Sequence, residues 1–228
     1  MKTTVYIVLY KTLQNELLRL KKESREKNIT LRFIDNSRSN KGYSYAVNRA
    51  LKNMLRSNHR LCIIANPDIS LGQVSSQSIT KTAQYFDVFG FGIKHDKKIY
   101  YGGKIDKWRM SGGLITKKPK QKYKSCDFVS GSFMVIKKEV IEKIGLFNEK
   151  YFMYYEDVEY CERARRAGFK VGIDSQTYYE HFENSQNNKK KDWYLFRNRL
   201  LFLLEYGSWK QKLYELIRVP KTMYEYLS

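Results

Sequence analysis

Val5-Tyr-Ile-Val-Leu-Tyr10 is a short apolar run with the length and composition of a strand buried on both faces of a parallel sheet. The segments after it decide the fold. Leu13, Leu17, Leu18 and Leu20 supply a helical stripe up to about Glu26, and Leu31 to Ile34 form a second strand. Ala46, Val47, Ala50, Leu51, Met54 and Leu55 mark a second helix, and Leu61 to Ala65 a third strand that stops at Pro67. This βαβαβ alternation predicts a parallel sheet covered by helices, with ligands at the carboxyl ends of the strands. Asp35 and Asn66-Pro-Asp68 fall at such ends. Further on, Ile79 to Tyr85 reads as a helix and Val88 to Ile93 as a strand, before a loop-rich stretch punctuated by Gly102-Gly103 and Gly112-Gly113. Phe128 to Ile136 then reads as a strand, Lys138 to Ile144 as a helix, Lys170 to Ile173 as a short strand, and the chain from about Lys191 as helices.

The 228 residues fit one large domain with a C-terminal appendage. No run approaches the ~20 apolar residues of a spanning helix, and the N-terminus is too short for a signal peptide, so the expected location is the cytosol. Cys62, Cys126 and Cys161 lie apart in apolar neighbourhoods without metal-ligand spacing, as buried thiols of a reducing compartment do. Forty-three Lys and Arg against 23 Asp and Glu give a net charge of +20, which suits nucleic acid, phosphorylated substrates or an anionic membrane. The basic residues are dispersed, apart from clusters at Lys117 to Lys124 and Lys189 to Lys191. Neither a helix-turn-helix nor a zinc-finger pattern accompanies them, so no nucleic-acid partner is expected.

Against that charge, Tyr151-Phe-Met-Tyr-Tyr-Glu-Asp-Val-Glu-Tyr-Cys-Glu-Arg-Ala-Arg-Arg-Ala-Gly168 packs Glu156, Asp157, Glu159 and Glu162 into seven positions. Val158, Cys161 and Ala164 recur at helical spacing and Gly168 is a C-cap, which places Glu156 and Asp157 at a helix N-terminus. The helix dipole would hold them ionised there. An ionised carboxylate beside an aromatic wall can serve as general base toward a hydroxyl. The alternative is that Asp157 only caps the helix.

Cys126-Asp-Phe-Val-Ser-Gly-Ser-Phe-Met-Val-Ile136, Gly145-Leu-Phe-Asn-Glu149, the Glu156-Asp157 pair and Tyr179-Glu-His181 succeed one another in order. Upstream stand Phe33-Ile-Asp-Asn-Ser37, Asn40-Lys-Gly-Tyr-Ser-Tyr-Ala-Val-Asn48 and Cys62-Ile-Ile-Ala-Asn-Pro-Asp-Ile69. Over roughly residues 5 to 200 this series resembles the inverting glycosyltransferases of family two, especially the rhamnosyltransferase-like branch. The resemblance implies an α/β GT-A (nucleotide-diphospho-sugar transferase) fold, a Rossmann-like, mostly parallel sheet flanked by helices, with a C-terminal helical appendage. Residues 1–190 would be the catalytic domain, its nucleotide-binding half about 1–100 and its acceptor half about 101–190, and residues 191–228 the C-terminal helices.

By the same resemblance Asp157 is the catalytic base and Glu156 orients the acceptor or the base. Tyr10, Asp35, Asn40, Gly42, Asn48, Asn66, Asp68 and Gly131 would bind the nucleotide-sugar donor, with Asp35 accepting the imide N–H of uracil or thymine. An Asx turn over Asn36-Ser37 is the alternative for Asp35. Only two residues separate Ser37 from Asn40, where relatives insert a strand and loop. Asn66-Pro-Asp68 stands where the family has Asp-x-Asp, leaving Asp68 as the strong ligand for Mg²⁺ or Mn²⁺. His181, 24 residues beyond Asp157, would be a further metal ligand. His59 and His95 read as surface residues in polar surroundings.

The implied acceptor is a saccharide, lipid-linked in this branch, in bacterial surface polysaccharide synthesis. Rhamnose from a deoxythymidine diphosphate donor leads, with galactose, glucose and N-acetylated sugars from uridine donors open. Trp193 to Leu204 with Trp209, Leu213, Leu216, Ile217 and Arg218 mixes apolar, aromatic and basic residues like an interfacial helix pair, for which an anionic membrane, a homodimer contact or ordinary packing are the readings. Rival functions are a nucleotidyltransferase, although no Gly-rich basic loop comes after Tyr10, a basic nucleic-acid-binding module, and an inactive scaffold of the same fold.

Overall fold

The computed structural model describes residues 3–38, 40–182 and 189–227. In chain order these form β1 (Thr3–Leu9), α1 (Gln14–Glu26), β2 (Ile29–Asp35), α2 (Tyr43–Leu55), β3 (Leu61–Ala65), β4 (Ile69–Ser70), α3 (Ser76–Thr82), β5 (Val88–His95) and β6 (Lys98–Tyr100). Next come β7 (Gly103–Ile105), β8 (Gly112–Leu114), β9 (Tyr123–Ser125), β10 (Phe133–Lys137), α4 (Lys138–Ile144), α5 (Glu156–Arg166), β11 (Val171–His181), α6 (Lys189–Tyr206) and α7 (Trp209–Leu227).

The main sheet runs β2-β1-β3-β10-β5-β11-β4. β1 pairs in parallel with both β2 and β3, as the βαβαβ reading requires, and β5 pairs in parallel with β11. Alternation along β1 divides its side chains between two cores. Tyr6 and Val8 join α2, α4 and α5 on one face, while Val5 and Ile7 meet Leu20 of α1 and Ile79 of α3 on the other. A strand covered on both faces has no polar side to show, which is why it reads as a continuous apolar run.

Two expectations change. The strand expected over Phe128 to Ile136 begins only at Phe133, and it runs antiparallel to β3 and β5, inserted between them. The strand expected at Lys170 to Ile173 continues to His181, because a register shift between Asp174 and Tyr178 lets it stay on β5 past an irregularity. The loop-rich stretch supplies short strands: β6 folds back on β5, β7 pairs with β8, and β9 adds to β11.

The C-terminal helices are packed onto this body. Phe202 and Leu203 of α6 belong to the same core as α2 and α5. Arg199 of α6 and Glu215 of α7 form an ion pair in which both residues are almost fully buried.

Candidate active site

The carboxyl ends of β1, β2 and β3 open on one cleft of about 870 Å³, lined among others by Tyr10, Asn36, Asn40, Asn66 and Asp68. Because β10 is antiparallel to β3, its start lies at the same edge. The Asn66 N–H donates to the Ser132 carbonyl at 3.0 Å, so Ser130-Gly131-Ser132 form the next part of the wall. β11 closes the far side. His181 pairs with Ile69 of β4, and the Phe182 N–H donates to the Asp68 carbonyl at 2.9 Å. That register brings together two residues 113 positions apart in sequence: Asp68 Oδ2 lies 3.4 Å from His181 Nε2. Asp68 Oδ1 and His181 Nε2 are buried with no hydrogen-bond partner among the described residues.

An acidic oxygen and an imidazole nitrogen, both orphaned at a cleft wall, fit a divalent cation that takes further oxygens from a ligand and water. Among the described residues no set of three or more His, Cys, Asp and Glu forms a complete cage. Asp68 and His181 would therefore supply only part of the coordination.

The acidic segment lines the same cleft. α5 starts at Glu156, and the two residues before it, Tyr154 and Tyr155, take left-handed backbone with φ of 64° and 69°. Such a conformation costs a non-glycine residue of order 1 kcal/mol or more and persists where the surroundings enforce it. Asn198 of α6, fully buried, does so by donating from Nδ2 to the Met153 and Tyr154 carbonyls, each at 2.8 Å. The Tyr155 hydroxyl accepts from the Gly112 N–H at 3.0 Å.

Asp157 occupies the second position of α5. Its Oδ2 accepts the Gly131 N–H at 2.9 Å and its Oδ1 the Val158 N–H at 2.8 Å, while the Tyr43 hydroxyl donates to the Gly131 carbonyl at 2.6 Å. Glu156 is buried, and its Oε2 has no partner among the described residues. Burial works against the helix terminus here, shifting both acids in the direction opposite to the one the helix dipole alone implies. Desolvation, with the neighbouring Asp157 charge, pushes Glu156 well above the usual carboxylate range. Burial also raises Asp157, against the pull of its backbone hydrogen bonds. The arrangement sets a buried Glu156, its Oε2 unpartnered among the described residues, beside an Asp157 oriented by two backbone N–H groups. The other two acids of the segment are structural: Glu159 binds Arg163 and the Tyr206 hydroxyl, and Glu162 binds Arg165 and Arg166.

Three residues expected to bind donor are placed elsewhere. Asn48 is buried away from the cleft, exchanging hydrogen bonds with the Phe147 backbone at 2.8 and 3.0 Å and donating to Glu149. Gly42 does mark a turn, with φ of 96°, but the backbone it approaches is Phe152. A Cβ there would lie 2.5 Å from the Phe152 oxygen. Asp35 is exposed outside the cleft lining, and its Oδ1 accepts the Ser37 N–H at 2.8 Å, so the Asx turn forms and holds its carboxyl below the usual range. Gly131 lines the cleft but gives its N–H to Asp157 and its carbonyl to Tyr43. His95 also lines the cleft, its Nδ1 2.9 Å from the His181 carbonyl, rather than standing on the surface. Sequence reading missed Tyr43 and Asn198. The second left a signal, a polar Arg197-Asn198-Arg199 triplet between the apolar residues of Trp193 to Leu204.

No family model matches the chain. A low-salt glycan biosynthesis hexosyltransferase of Haloferax volcanii is 28% identical over 186 residues, which span 75% of this chain and 59% of that protein. The rhamnosyltransferase WbbL of Escherichia coli is 33% identical over 106 residues, 40% of each chain. The matches thus span less than two thirds of either relative. Among solved structures, GalNAc-T7 in complex with UDP, GalNAc and Mn²⁺ superposes with a TM-score of 0.62 at 13% identity, covering 97% of this chain and 51% of that one. The fold is that of the GT-A glycosyltransferases. With a hexosyltransferase and a rhamnosyltransferase among its relatives, this GT-A chain carries its acidic helix start and its Asp68–His181 pair in one cleft.

Proposed function

We propose that this GT-A chain is an inverting glycosyltransferase that moves a sugar from a nucleoside diphosphate donor to a saccharide hydroxyl. One observation carries the reading: a single cleft at the strand ends is lined by both the orphaned Asp68–His181 pair and the Glu156-Asp157 pair. Asp68 and His181 would hold Mg²⁺ or Mn²⁺, which when bound offsets the charge growing on a departing diphosphate. Tyr10, Asn40 and Asn66 line the donor side. Asp157, fixed by the Gly131 and Val158 N–H groups, accepts the proton of the acceptor hydroxyl as that oxygen attacks the anomeric carbon from the face opposite the leaving group. Its pKa, raised by burial, moves toward the working pH, where a general base is most effective. Glu156, whose pKa burial raises, would in its protonated form donate a hydrogen bond from Oε2 to a sugar oxygen.

Rhamnose from deoxythymidine diphosphate rhamnose is the leading donor, supported by the stretch shared with a rhamnosyltransferase, and uridine diphosphate hexoses are next. A place in glycan assembly on a lipid-linked acceptor, at the inner face of the cell membrane, accords with a glycan-biosynthesis relative. A thermal-unfolding screen of nucleotide sugars with and without Mn²⁺ tests the function, since a ligand that binds only the folded state raises its stability. One nucleotide sugar should stabilise the parent in the presence of Mn²⁺ and lose most of that effect in Asp68→Ala. Equal stabilisation of parent and variant at saturating Mn²⁺ would remove Asp68 from the donor site.

A further inference from the structure

We propose that the outward face of α7 docks on the surface of an anionic lipid bilayer. The helix is inverted relative to an ordinary surface helix. Its polar residues Glu215 and Thr222 face the protein at 1% and 0% exposure, while Trp209, Leu216 and Ile217 face outward at 69%, 70% and 76%. Trp209, Leu213, Leu216, Ile217 and Pro220 keep the i, i+4, i+7, i+8, i+11 spacing of a single helical face, and no charged side chain interrupts it. From Trp209 to Pro220, about 18 Å of helix, this is an apolar stripe that faces away from the buried Glu215 and Thr222.

The borders of the stripe identify the occupant. Lys210 and Lys221 stand on one flank and Lys212 on the other, with Trp209 at the start of the helix and the Lys210 ammonium 5.6 Å from its ring centroid. An apolar face edged by lysines and aromatics is the composition of a helix lying in the headgroup plane, where long cationic side chains reach up to lipid phosphates. The net charge of +20 draws the chain to an anionic leaflet and opposes pairing with a second copy of itself. No helix among the described residues is long and apolar enough to cross the bilayer, so the contact lies along its surface.

The helix pair also links this face to the cleft. α7 turns back along α6, so that the Phe196 and Tyr226 rings lie 6.1 Å apart, and α6 contributes Lys191 and Leu195 to the cleft lining. Docking would hold that rim near the lipid surface, where a lipid-linked saccharide presents its hydroxyls. This consequence rests on the transferase reading, whereas docking does not.

Flotation with phosphatidylcholine vesicles, with and without phosphatidylglycerol, tests the docking on the intact chain. The parent should float with the anionic vesicles. Leu216→Glu/Ile217→Glu, at exposed sites, should keep the parent's circular dichroism and lose vesicle affinity by at least about tenfold. Brominated lipid should quench Trp209, and Trp209→Phe should abolish most of that quenching. Vesicle binding unchanged in the double variant would mean adsorption by charge alone and overturn the proposal. So would failure of the parent to float, or a parent dimer in light scattering that the double variant converts to monomer. Nucleotide-sugar binding is read separately, so loss of either result leaves the other standing.

Discussion

Adjacent in sequence, Glu156 and Asp157 differ in what their carboxyls meet: the buried Oε2 of Glu156 has no hydrogen-bond partner among the described residues, while Asp157 is held by two backbone N–H groups. Asn is nearly isosteric with Asp but cannot take a proton at neutral pH. Asp157→Asn should therefore keep the fold and donor affinity while lowering transfer by roughly 10²-fold or more, measured as product formed with the donor from the screen. If Asp157 served only the helix terminus, Asn would do nearly as well. Glu156 predicts a stability effect with a definite sign. Its folded-state pKa is raised, so between its ordinary value of 4.5 and that raised value the native state keeps a proton the unfolded chain has lost, and stability falls as pH rises. Glu156→Gln should raise the melting temperature at about pH 8, with the gain fading below the ordinary carboxylate range, at about pH 4. That acid gathers at a helix start was legible in the sequence. How deeply each carboxyl is buried was not, because burial is set by residues from other elements.

At the scale of elements, the start of α5 depends on α6. Asn198→Ala would remove the two hydrogen bonds that hold Met153 and Tyr154, leaving buried carbonyls unpaired at about 1–3 kcal/mol each. The left-handed pair at Tyr154 and Tyr155 would then relax and Asp157 would lose its aim. The expected result is a lower melting temperature and a fall in turnover larger than any change in Mn²⁺-dependent donor binding, read by comparing kcat with donor Kd. The N-terminus of α2 makes a second such demand. Gly42→Ala meets both the positive φ and the Phe152 carbonyl, so it should destabilise by more than about 1 kcal/mol in urea unfolding. Sequence reading recognised Gly42 as a turn residue. Its partner, 110 positions away, had no local trace.

The whole molecule treats its last two helices as part of the body. Arg199 is fully buried, and its partner Glu215 lies on α7. Removing one member of a buried pair costs about 3–5 kcal/mol, so deletion from Trp209 onward should abolish soluble folded protein, whereas Leu216→Glu/Ile217→Glu should leave it intact. Expression yield and circular dichroism distinguish the two. The sequence by itself determined the βαβαβ half, the strand-end positions of Tyr10, Asn66 and Asp68, and the helix opening at Glu156, because periodicity and breakers are local properties of the chain. Only the tertiary structure decided that β10 runs against its neighbours, that Asn48 and Gly42 serve the fold, that His181 meets Asp68, and that α7 turns its apolar side outward. Each of these depends on the register between segments distant in sequence or on which face of a helix its neighbours bury. The hydrophobic pattern of one segment does not encode either.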